Sequence, residues 1–117
     1  MPLPVNQQAT ATRQFSRYCL DSPVVVRIQR ADNHLFVRGR SLDISLGGLS
    51  FVCTEDSLRD GEYVVVAFRL PPTEQQIKVD AVVRRKTGYV FGLEFVTLSP
   101  AQRQLIETVC RMYPRAA

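Results

Sequence analysis

Two small groups of residues in this sequence carry side chains suited to binding an anionic or planar ligand. Arg13 and Arg17 stand on either side of Phe15, and Asp43 and Ser45 follow later in the chain. The planar fork of an arginine can make two hydrogen bonds to a phosphate or to the O6/N7 edge of guanine, which an ammonium cannot do. Of the 15 basic residues, 13 are arginine, although codon bias in a GC-rich genome would explain that excess equally well. If codon bias is not the cause, the excess of arginine favours a guanine- or phosphate-bearing partner.

Asp43 and Ser45 belong to an alternating stretch within residues 41–51. Leu42 and Ile44 alternate there with the two polar residues, which is the pattern of a half-buried strand. If Leu42 and Ile44 face the core, Asp43 and Ser45 face outward on the same wall. An unpaired carboxylate pointing inward would cost several kcal/mol. We therefore predict that both polar side chains lie on the outer surface.

Gly47 and Gly48 interrupt the alternation. Two glycines allow a sharp turn with positive φ, and they leave backbone amides bare enough for a flat ligand to lie close. Taken alone, the stretch predicts no more than a strand, a turn and a second strand. A binding site requires a partner from elsewhere in the chain.

The remaining apolar pattern predicts the elements that would position these residues. Short runs with strand character and turn signals between them occupy residues 24–29, 35–45, 48–53, 63–70, 77–84 and 89–95. Six short strands joined by tight turns predict an all-β fold that closes on itself, because closure removes exposed edges. We expect a six-stranded antiparallel β-barrel.

A single helix is predicted at the C-terminal end. Ser99, Pro100 and Gln102 form a capping-box pattern, and Pro114 ends the run that follows. Apolar residues recur at helical spacing between them: Leu105, Ile106, Val109, Cys110, Met112 and Tyr113. We expect a helix of roughly 14 residues that packs its apolar face on an open end of the barrel.

The length and composition fit one domain. A chain of 117 residues is long enough for one core, and we assign residues 1–12 to a flexible N-terminal arm and residues 13–117 to the domain. No apolar run approaches the roughly 18 residues of a membrane span, and the first residues lack the order of a signal peptide. We expect a cytoplasmic protein with no membrane insertion.

Metal binding and catalysis have little support in the sequence. Cys19, Cys53 and Cys110 are widely spaced, and we expect all three to be reduced core residues. His34 is the single histidine and lies near a predicted hairpin turn. Although Ser45, Asp43 and His34 could be written as a triad, nothing in the pattern orders them. We expect no catalytic residues, no metal and no cofactor.

The two motifs together resemble those of the PilZ domain family. The chain contains Arg13-x-x-x-Arg17 before the first strand and Asp43-x-Ser45-x-x-Gly48 at the end of the second. A weaker likeness is Phe91-Gly92-Leu93-Glu94-Phe95, which precedes the helix. The resemblance covers residues 13–113. Either motif alone is a weak pattern, whereas both in this order on a six-strand-plus-helix pattern are fairly specific.

The resemblance implies a bacterial second-messenger receptor for cyclic di-GMP that signals through a partner protein. It places the ligand on the barrel surface, with the two arginines as clamps for guanine edges and phosphates. Carried onto this sequence, the implied contacts are Arg13, Arg17, Asp43, Ser45 and Gly48, with Gly47, Arg84, Arg85 and Arg38 as possible additions. We expect the chain through Arg17 to be loose without ligand and to close over bound nucleotide, and the ordered arm to be recognised by an effector protein.

Two other binding functions are alternatives for this sequence. The first is a PilZ-type protein-interaction module that works without a ligand, since a fold does not fix a function. The second is binding of single-stranded RNA, which needs exposed aromatic side chains interleaved along a strand. No predicted strand has that pattern and the chain has no tryptophan. We expect neither DNA nor RNA to be the partner.

Overall fold

Within residues 15–55 and 57–116, which the computed structural model describes, the fold is a closed antiparallel barrel with one helix. In chain order the elements are β1 (Tyr18–Cys19), β2 (Pro23–Arg30), β3 (Asn33–Ile44), β4 (Gly48–Val52), β5 (Tyr63–Arg69), β6 (Gln76–Thr87), β7 (Val90–Phe95) and α1 (Pro100–Cys110). Residues 1–14, which include Arg13 and the predicted arm, lie outside the described residues.

Six of the described strands form the barrel. They pair in the order β3, β2, β5, β6, β7, β4, and β4 pairs again with β3 to close the ring. β1 is a short strand beside this ring, with Tyr18 opposite Ile44 and Cys19 opposite Asp43 on β3. The predicted six-stranded antiparallel barrel is confirmed. Its predicted strands each overlap an observed one.

Alternate side chains of the strands fill the barrel. Val24, Val26 and Ile28 of β2 are buried, as are Val64 and Val66 of β5, while the residues between them are more exposed. Full burial of one such side chain stabilises the fold by about 1.5–3 kcal/mol. The buried residues on both strands thus recur at every second position, as in a strand with one face in the core.

Helix α1 begins at the predicted capping box. Ser99 Oγ accepts from the Gln102 N–H at 3.1 Å, and the Gln102 side chain accepts from the Ser99 N–H at 3.0 Å. Ile106, Val109 and Cys110 join the barrel's hydrophobic core. The helix thus packs on its own barrel. No helix in the described part of the chain has the length and apolar content that a membrane span requires.

The helix is shorter than predicted. It has 11 residues and ends at Cys110. The Met112 N–H donates to Val109 O and the Tyr113 N–H to Cys110 O, both at 3.0 Å, so the chain leaves the helix in tight i to i+3 turns. Met112 is 64% exposed. Its predicted place on the apolar face of the helix is therefore wrong.

A β-bulge in β3 changes the pattern of the stretch that carries Asp43. The register of β3 on β4 shifts between Ser41 and Asp43, so Leu42 is an extra residue. Ser41 is only 3% exposed and Leu42 is 44% exposed, whereas Ile44 is fully buried. The prediction that Leu42 faces the core is wrong, because strict alternation does not continue through a bulge. Ile44 does face inward, as predicted.

The positive φ that Gly47 and Gly48 would allow is not used at either residue. Among the described residues, φ is positive at Gly61, Gly88 and Ala31, and not at these two glycines. Gly61 and Gly88 lie in the turns before β5 and between β6 and β7. The left-handed conformation is therefore used at other turns.

The cysteines divide into two kinds. Cys53 and Cys110 are buried, as predicted, whereas Cys19 is exposed on the short strand β1. The prediction that all three fill the core is therefore wrong at Cys19. His34 is exposed near the start of β3. Within residues 15–55 and 57–116, no cluster of three or more histidine, cysteine and acidic side chains is placed to hold a metal ion.

Candidate functional site

The two sequence motifs meet at one open cavity of about 550 Å³ on the outside of the barrel. This volume is within the usual range for small-molecule sites. We name it the motif cavity. Its described lining residues are Phe15, Arg17, Asp43, Ser45, Gly47, Gly48, Leu49, Ser50, Arg84, Arg85, Gly92, Leu93 and Glu94.

Arg17 and Asp43 form the contact between the two motifs. The Arg17 Nη2 atom donates to Asp43 Oδ2 at 2.7 Å, and the side chains are 29% and 16% exposed. Pairing of β1 with the end of β3 brings Arg17 here, because Cys19 lies opposite Asp43. A guanidinium has five N–H donors and a carboxylate has two oxygens. The recorded bond therefore leaves most of the guanidinium and one carboxylate oxygen able to contact a ligand.

The expectation that the chain is loose through Arg17 is not met at Arg17 itself. The Arg17 carbonyl accepts from the Ala116 N–H at 2.9 Å, and the Leu20 N–H donates to Leu42 O at 3.1 Å. These backbone bonds and the ion pair with Asp43 hold Arg17 against the barrel. The rigid part of the site thus includes the second arginine of the motif.

Ser45 shapes the turn that ends β3. Its hydroxyl oxygen accepts from the Gly47 N–H at 3.0 Å, and its own N–H donates to Gly48 O at 2.9 Å. The Gly47 carbonyl accepts from the Phe95 N–H of β7 at 2.9 Å. The hydroxyl hydrogen of Ser45 is not used in the bond from Gly47 and can be donated to a ligand.

Gly47 and Gly48 are required for different reasons. A Cβ on Gly48 would lie 2.1 Å from the backbone oxygen of Leu93, so close pairing of β4 with β7 excludes any side chain there. A Cβ on Gly47 would meet the Phe15 ring at 3.0 Å. The sequence suggests that Gly48 lacks a side chain so that a ligand can approach, but the barrel itself explains the need for glycine there. Gly47 is the glycine that faces an aromatic ring in the motif cavity.

Arg84 and Arg85 reach the cavity from β6, as the sequence suggested. Arg84 Nε donates to Glu94 Oε1 at 2.7 Å. Arg85 lies over Gly92, whose added Cβ would stand 3.4 Å from Arg85 Cβ. The described lining therefore includes three guanidinium groups and two carboxylates, which leaves one net positive charge. This balance suits an anionic ligand.

Three other predicted residues are not part of this described lining. Arg38 is exposed on β3, opposite Val25 of β2, and does not line the cavity. His34 also lies away from the lining, so it is not assembled with Ser45 and Asp43. Arg13 lies outside the described residues.

Phe15 and Glu94 are site residues that the sequence interpretation missed. In the sequence, Phe15 is distinguished only as the aromatic residue between the two arginines. Glu94 had been noted only inside a family-like stretch, yet it occupies an exposed position of β7, whose alternate residues Phe91, Leu93 and Phe95 are buried. The alternation of apolar residues in β7 would have predicted that Glu94 faces outward. Phe15 could be placed only by knowing that β1 pairs with β3.

Comparison with known proteins gives one family. The protein-family model for the PilZ domain matches residues 11–111. No curated protein matches the sequence.

Three solved structures have the same fold. The Bacillus subtilis inhibitor of motility, MotI/DgrA, is 27% identical with a TM-score of 0.69, and the match covers 85% of this chain and 49% of that protein, so this chain spans about half its length. The PilZ domain of YcgR from Escherichia coli, solved with c-di-GMP, is 16% identical with a TM-score of 0.67 and coverage of 86% and 90%. The PilZ domain of CeSA from a cellulose-synthesizing bacterium is 21% identical with a TM-score of 0.62 and coverage of 80% and 93%.

The sequence match spans most of the chain, and it agrees with the barrel topology and with the meeting of the two motifs at one cavity. This chain belongs to the PilZ domain family.

Proposed function

We propose that this protein is a receptor that binds cyclic di-GMP in the motif cavity and presents the bound state to an effector protein. One observation carries the proposal: Arg17 and Asp43, one from each motif, touch at 2.7 Å on the wall of a single open cavity. The ligand has two guanines and two negative charges. It therefore needs both guanidinium donors and a carboxylate acceptor within one site.

Each side chain has a role that its observed contacts permit. The remaining Arg17 N–H groups bind a phosphate or the O6/N7 edge of a guanine. The second oxygen of Asp43 accepts from a guanine N1–H or N2–H₂, and the Ser45 hydroxyl donates to a base or a phosphate. Gly47 provides a backbone surface on which a base lies flat, next to Phe15. Gly48 keeps this turn close to β7.

Arg84, Arg85 and Arg13 complete the proposed site. Arg85 adds a phosphate contact from β6, and Arg84 does so when its bond to Glu94 is exchanged for one to the ligand. Arg13 is assigned from the family resemblance as the second clamp. The surface formed by nucleotide, barrel and the chain that carries Arg13 is then what the effector recognises.

The relatives support this proposal. The E. coli YcgR domain with the same fold was solved with c-di-GMP, and the B. subtilis relative is an inhibitor of motility. The proposed role of this chain, a regulator of another protein that responds to a ligand, is consistent with both relatives.

Calorimetric titration of the purified protein with cyclic di-GMP tests the proposal. We expect micromolar or tighter binding, and a loss of roughly tenfold to a thousandfold in Arg17→Ala. Arg40→Ala is the matched control, because Arg40 forms a 2.7 Å pair with Asp21 and does not line the cavity. Equal affinity of Arg17→Ala and the wild type would overturn the assigned clamp, and no binding by the wild type would overturn the receptor.

A second candidate function is a PilZ-type docking module that needs no nucleotide. The observation in its favour is that the motif side chains already have partners within the barrel: Arg17 pairs with Asp43, and Ser45 caps its own turn. These structural contacts would then explain the presence of the motif residues without any nucleotide. An NMR titration that follows the amides of Arg17 and Ser45 separates the two functions, since silence at saturating cyclic di-GMP favours docking.

A further inference from the structure

The chain after helix α1 returns to lie along the segment that carries Arg17. Tyr18 and Arg115 form an antiparallel bridge. The Cys19 N–H donates to Pro114 O at 2.8 Å, and the Ala116 N–H donates to Arg17 O at 2.9 Å. We call residues 114–116 the C-terminal segment.

One side-chain contact reinforces this pairing. The Arg115 Nη2 atom donates to Ser16 Oγ at 3.0 Å. The C-terminal segment therefore contacts every residue from Ser16 to Cys19 through a hydrogen bond or the bridge. None of the residues of this segment lines the motif cavity.

β1 needs this second neighbour because its own pairing is short. It contributes only Tyr18 and Cys19 to the pairing with β3, and pairs of so few residues are marginal without further strands. With the C-terminal segment on its other side, β1 lies between two partners. The position of Arg17, the residue before β1, depends on both of them.

We infer that the C-terminal segment positions Arg17 for the nucleotide, and that nucleotide binding in turn strengthens the hold on this segment. The inference rests on the proposed function. Its direct contact is the bond from the Ala116 N–H to the backbone carbonyl of Arg17 itself. Because coupling between two binding events is reciprocal, a site that needs an ordered Arg17 must favour the docked segment when occupied. The C-terminal segment is thereby held more tightly when the motif cavity is occupied.

Ala116→Pro removes the one donor that contacts Arg17 O, because proline has no N–H. Proline also restricts the preceding residue to extended conformations, and Arg115 is already in an extended bridge, so the change adds little strain there. Ala116→Ser is the matched control, since it keeps the N–H. We expect Ala116→Pro to bind cyclic di-GMP about twofold to tenfold more weakly than Ala116→Ser, the scale of one lost hydrogen bond.

A second pair of variants tests the side-chain contact. Arg115→Ala removes the bond to Ser16, and Arg111→Ala removes an exposed arginine of the same charge for which no side-chain bond is found among the described residues. We expect weaker binding in Arg115→Ala and wild-type binding in Arg111→Ala. If Ala116→Pro fails to fold in a thermal unfolding scan, this pair decides the inference.

A double-mutant cycle distinguishes positioning from a general loss of stability. If the C-terminal segment acts through Arg17, Ala116→Pro has little further effect on affinity in an Arg17→Ala background. An equal loss in both backgrounds would overturn the inference.

In the wild type, saturating cyclic di-GMP is expected to slow hydrogen exchange of the Ala116 amide, which lies outside the cavity. Unchanged exchange would also contradict the coupling.

The outcomes separate the inference from the proposed function. Absence of binding by the wild type overturns both. Tight wild-type binding with equal affinities of Ala116→Pro and Ala116→Ser, and of Arg115→Ala and Arg111→Ala, overturns the inference alone.

Discussion

Arg17 and Asp43 are 26 positions apart in the chain, and their side chains meet at 2.7 Å. The pair connects the short strand β1 to the bulged end of β3 and stands on the wall of the motif cavity. It therefore has a structural role and a proposed ligand-binding role. Substitution at Asp43 can separate the two.

Asp43→Asn is expected to weaken cyclic di-GMP binding much more than it weakens the fold. The amide keeps the shape of the carboxylate but loses its charge and one acceptor oxygen. We expect the free energy of unfolding to fall by about 1 kcal/mol, since a partly exposed pair is partly screened by solvent, and the affinity to fall by about tenfold or more. Urea unfolding and calorimetry measure the two quantities.

Asp21→Asn is the control for this experiment. Asp21 pairs with Arg40 at the same 2.7 Å, but the side chains are 82% and 58% exposed. We expect stability within about 0.5 kcal/mol of the wild type and unchanged affinity. Equal loss of affinity in Asp43→Asn and Asp21→Asn would mean that bulk charge, and not the site, governs binding.

Alanine at the two adjacent glycines should affect different properties, stability at Gly48 and ligand affinity at Gly47. In Gly48→Ala the new Cβ meets Leu93 O, a backbone atom that cannot move without opening the barrel, so we expect a loss of at least about 2 kcal/mol of stability. In Gly47→Ala the neighbour is the Phe15 ring, which can shift, so the fold should persist and the affinity for cyclic di-GMP should fall. Thermal unfolding and calorimetry of both variants check this. A stable Gly48→Ala variant would contradict the assigned role of that glycine.

The bulge in β3 predicts that substitution of Ser41 costs more stability than substitution of its apolar neighbour Leu42. The buried Ser41 hydroxyl donates to Leu20 O at 2.7 Å and accepts from the Ser22 N–H at 2.9 Å. Ser41→Ala leaves these backbone groups without that partner and should cost about 1–3 kcal/mol. Leu42→Ala should cost less than about 1 kcal/mol, because Leu42 is 44% exposed. Denaturant unfolding gives both values, and a loss of 2 kcal/mol or more for Leu42→Ala would place Leu42 in the core after all.

The same bulge explains why part of the site could not be predicted from the sequence. Alternation over several residues located the barrel strands and placed Ile44 inside, since burial of one face has a fixed period. Alternation cannot reveal where one strand gains a residue, so it placed Leu42 on the core face, whereas the buried neighbour is Ser41. The capping box at Ser99 is a local pattern and was found at the correct position.

Long-range pairing was the other missing information. The sequence contains Arg17 and Asp43 but does not say that β1 lies on β3, nor that residues 114–116 lie on β1. The expectation of a loose Arg17 followed from this gap. It is not met at Arg17 because the backbone N–H of Ala116 bonds to the Arg17 carbonyl and the Arg17 side chain pairs with Asp43.

Glu62 should make stability depend on pH in the acid range. Arg30 donates to both Glu62 oxygens at 2.8 Å, and these hydrogen bonds are the main reason that the pKa of Glu62 lies below its ordinary value of 4.5. A lowered pKa means that the pair stabilises the fold above pH 4.5 and that this contribution is lost as the pH falls below it. Glu62→Gln should therefore have a lower Tm than the wild type at pH 7, by a few degrees.

The difference between wild type and Glu62→Gln should shrink as the pH is lowered from 5 toward 3, which thermal unfolding in buffers of equal ionic strength measures. Glu107→Gln is the control, because its pair with Arg103 is exposed and 4.0 Å long. A wild-type advantage that persists undiminished at pH 3 would contradict the role of the ionised Glu62.

The three cysteines should differ sharply in reactivity. Cys19 is exposed on β1, whereas Cys53 and Cys110 are buried. Burial also raises the pKa of the Cys110 thiol to about 11. Only the thiolate is nucleophilic, so at pH 8 about one Cys110 thiol in a thousand is ionised and it has no access to reagent.

Iodoacetamide should label the native protein once, at Cys19, and the urea-unfolded protein at all three cysteines. Mass spectrometry locates the labels, and Cys19→Ser should give no native labelling. Rapid native labelling of Cys110 would mean that helix α1 opens readily from the barrel.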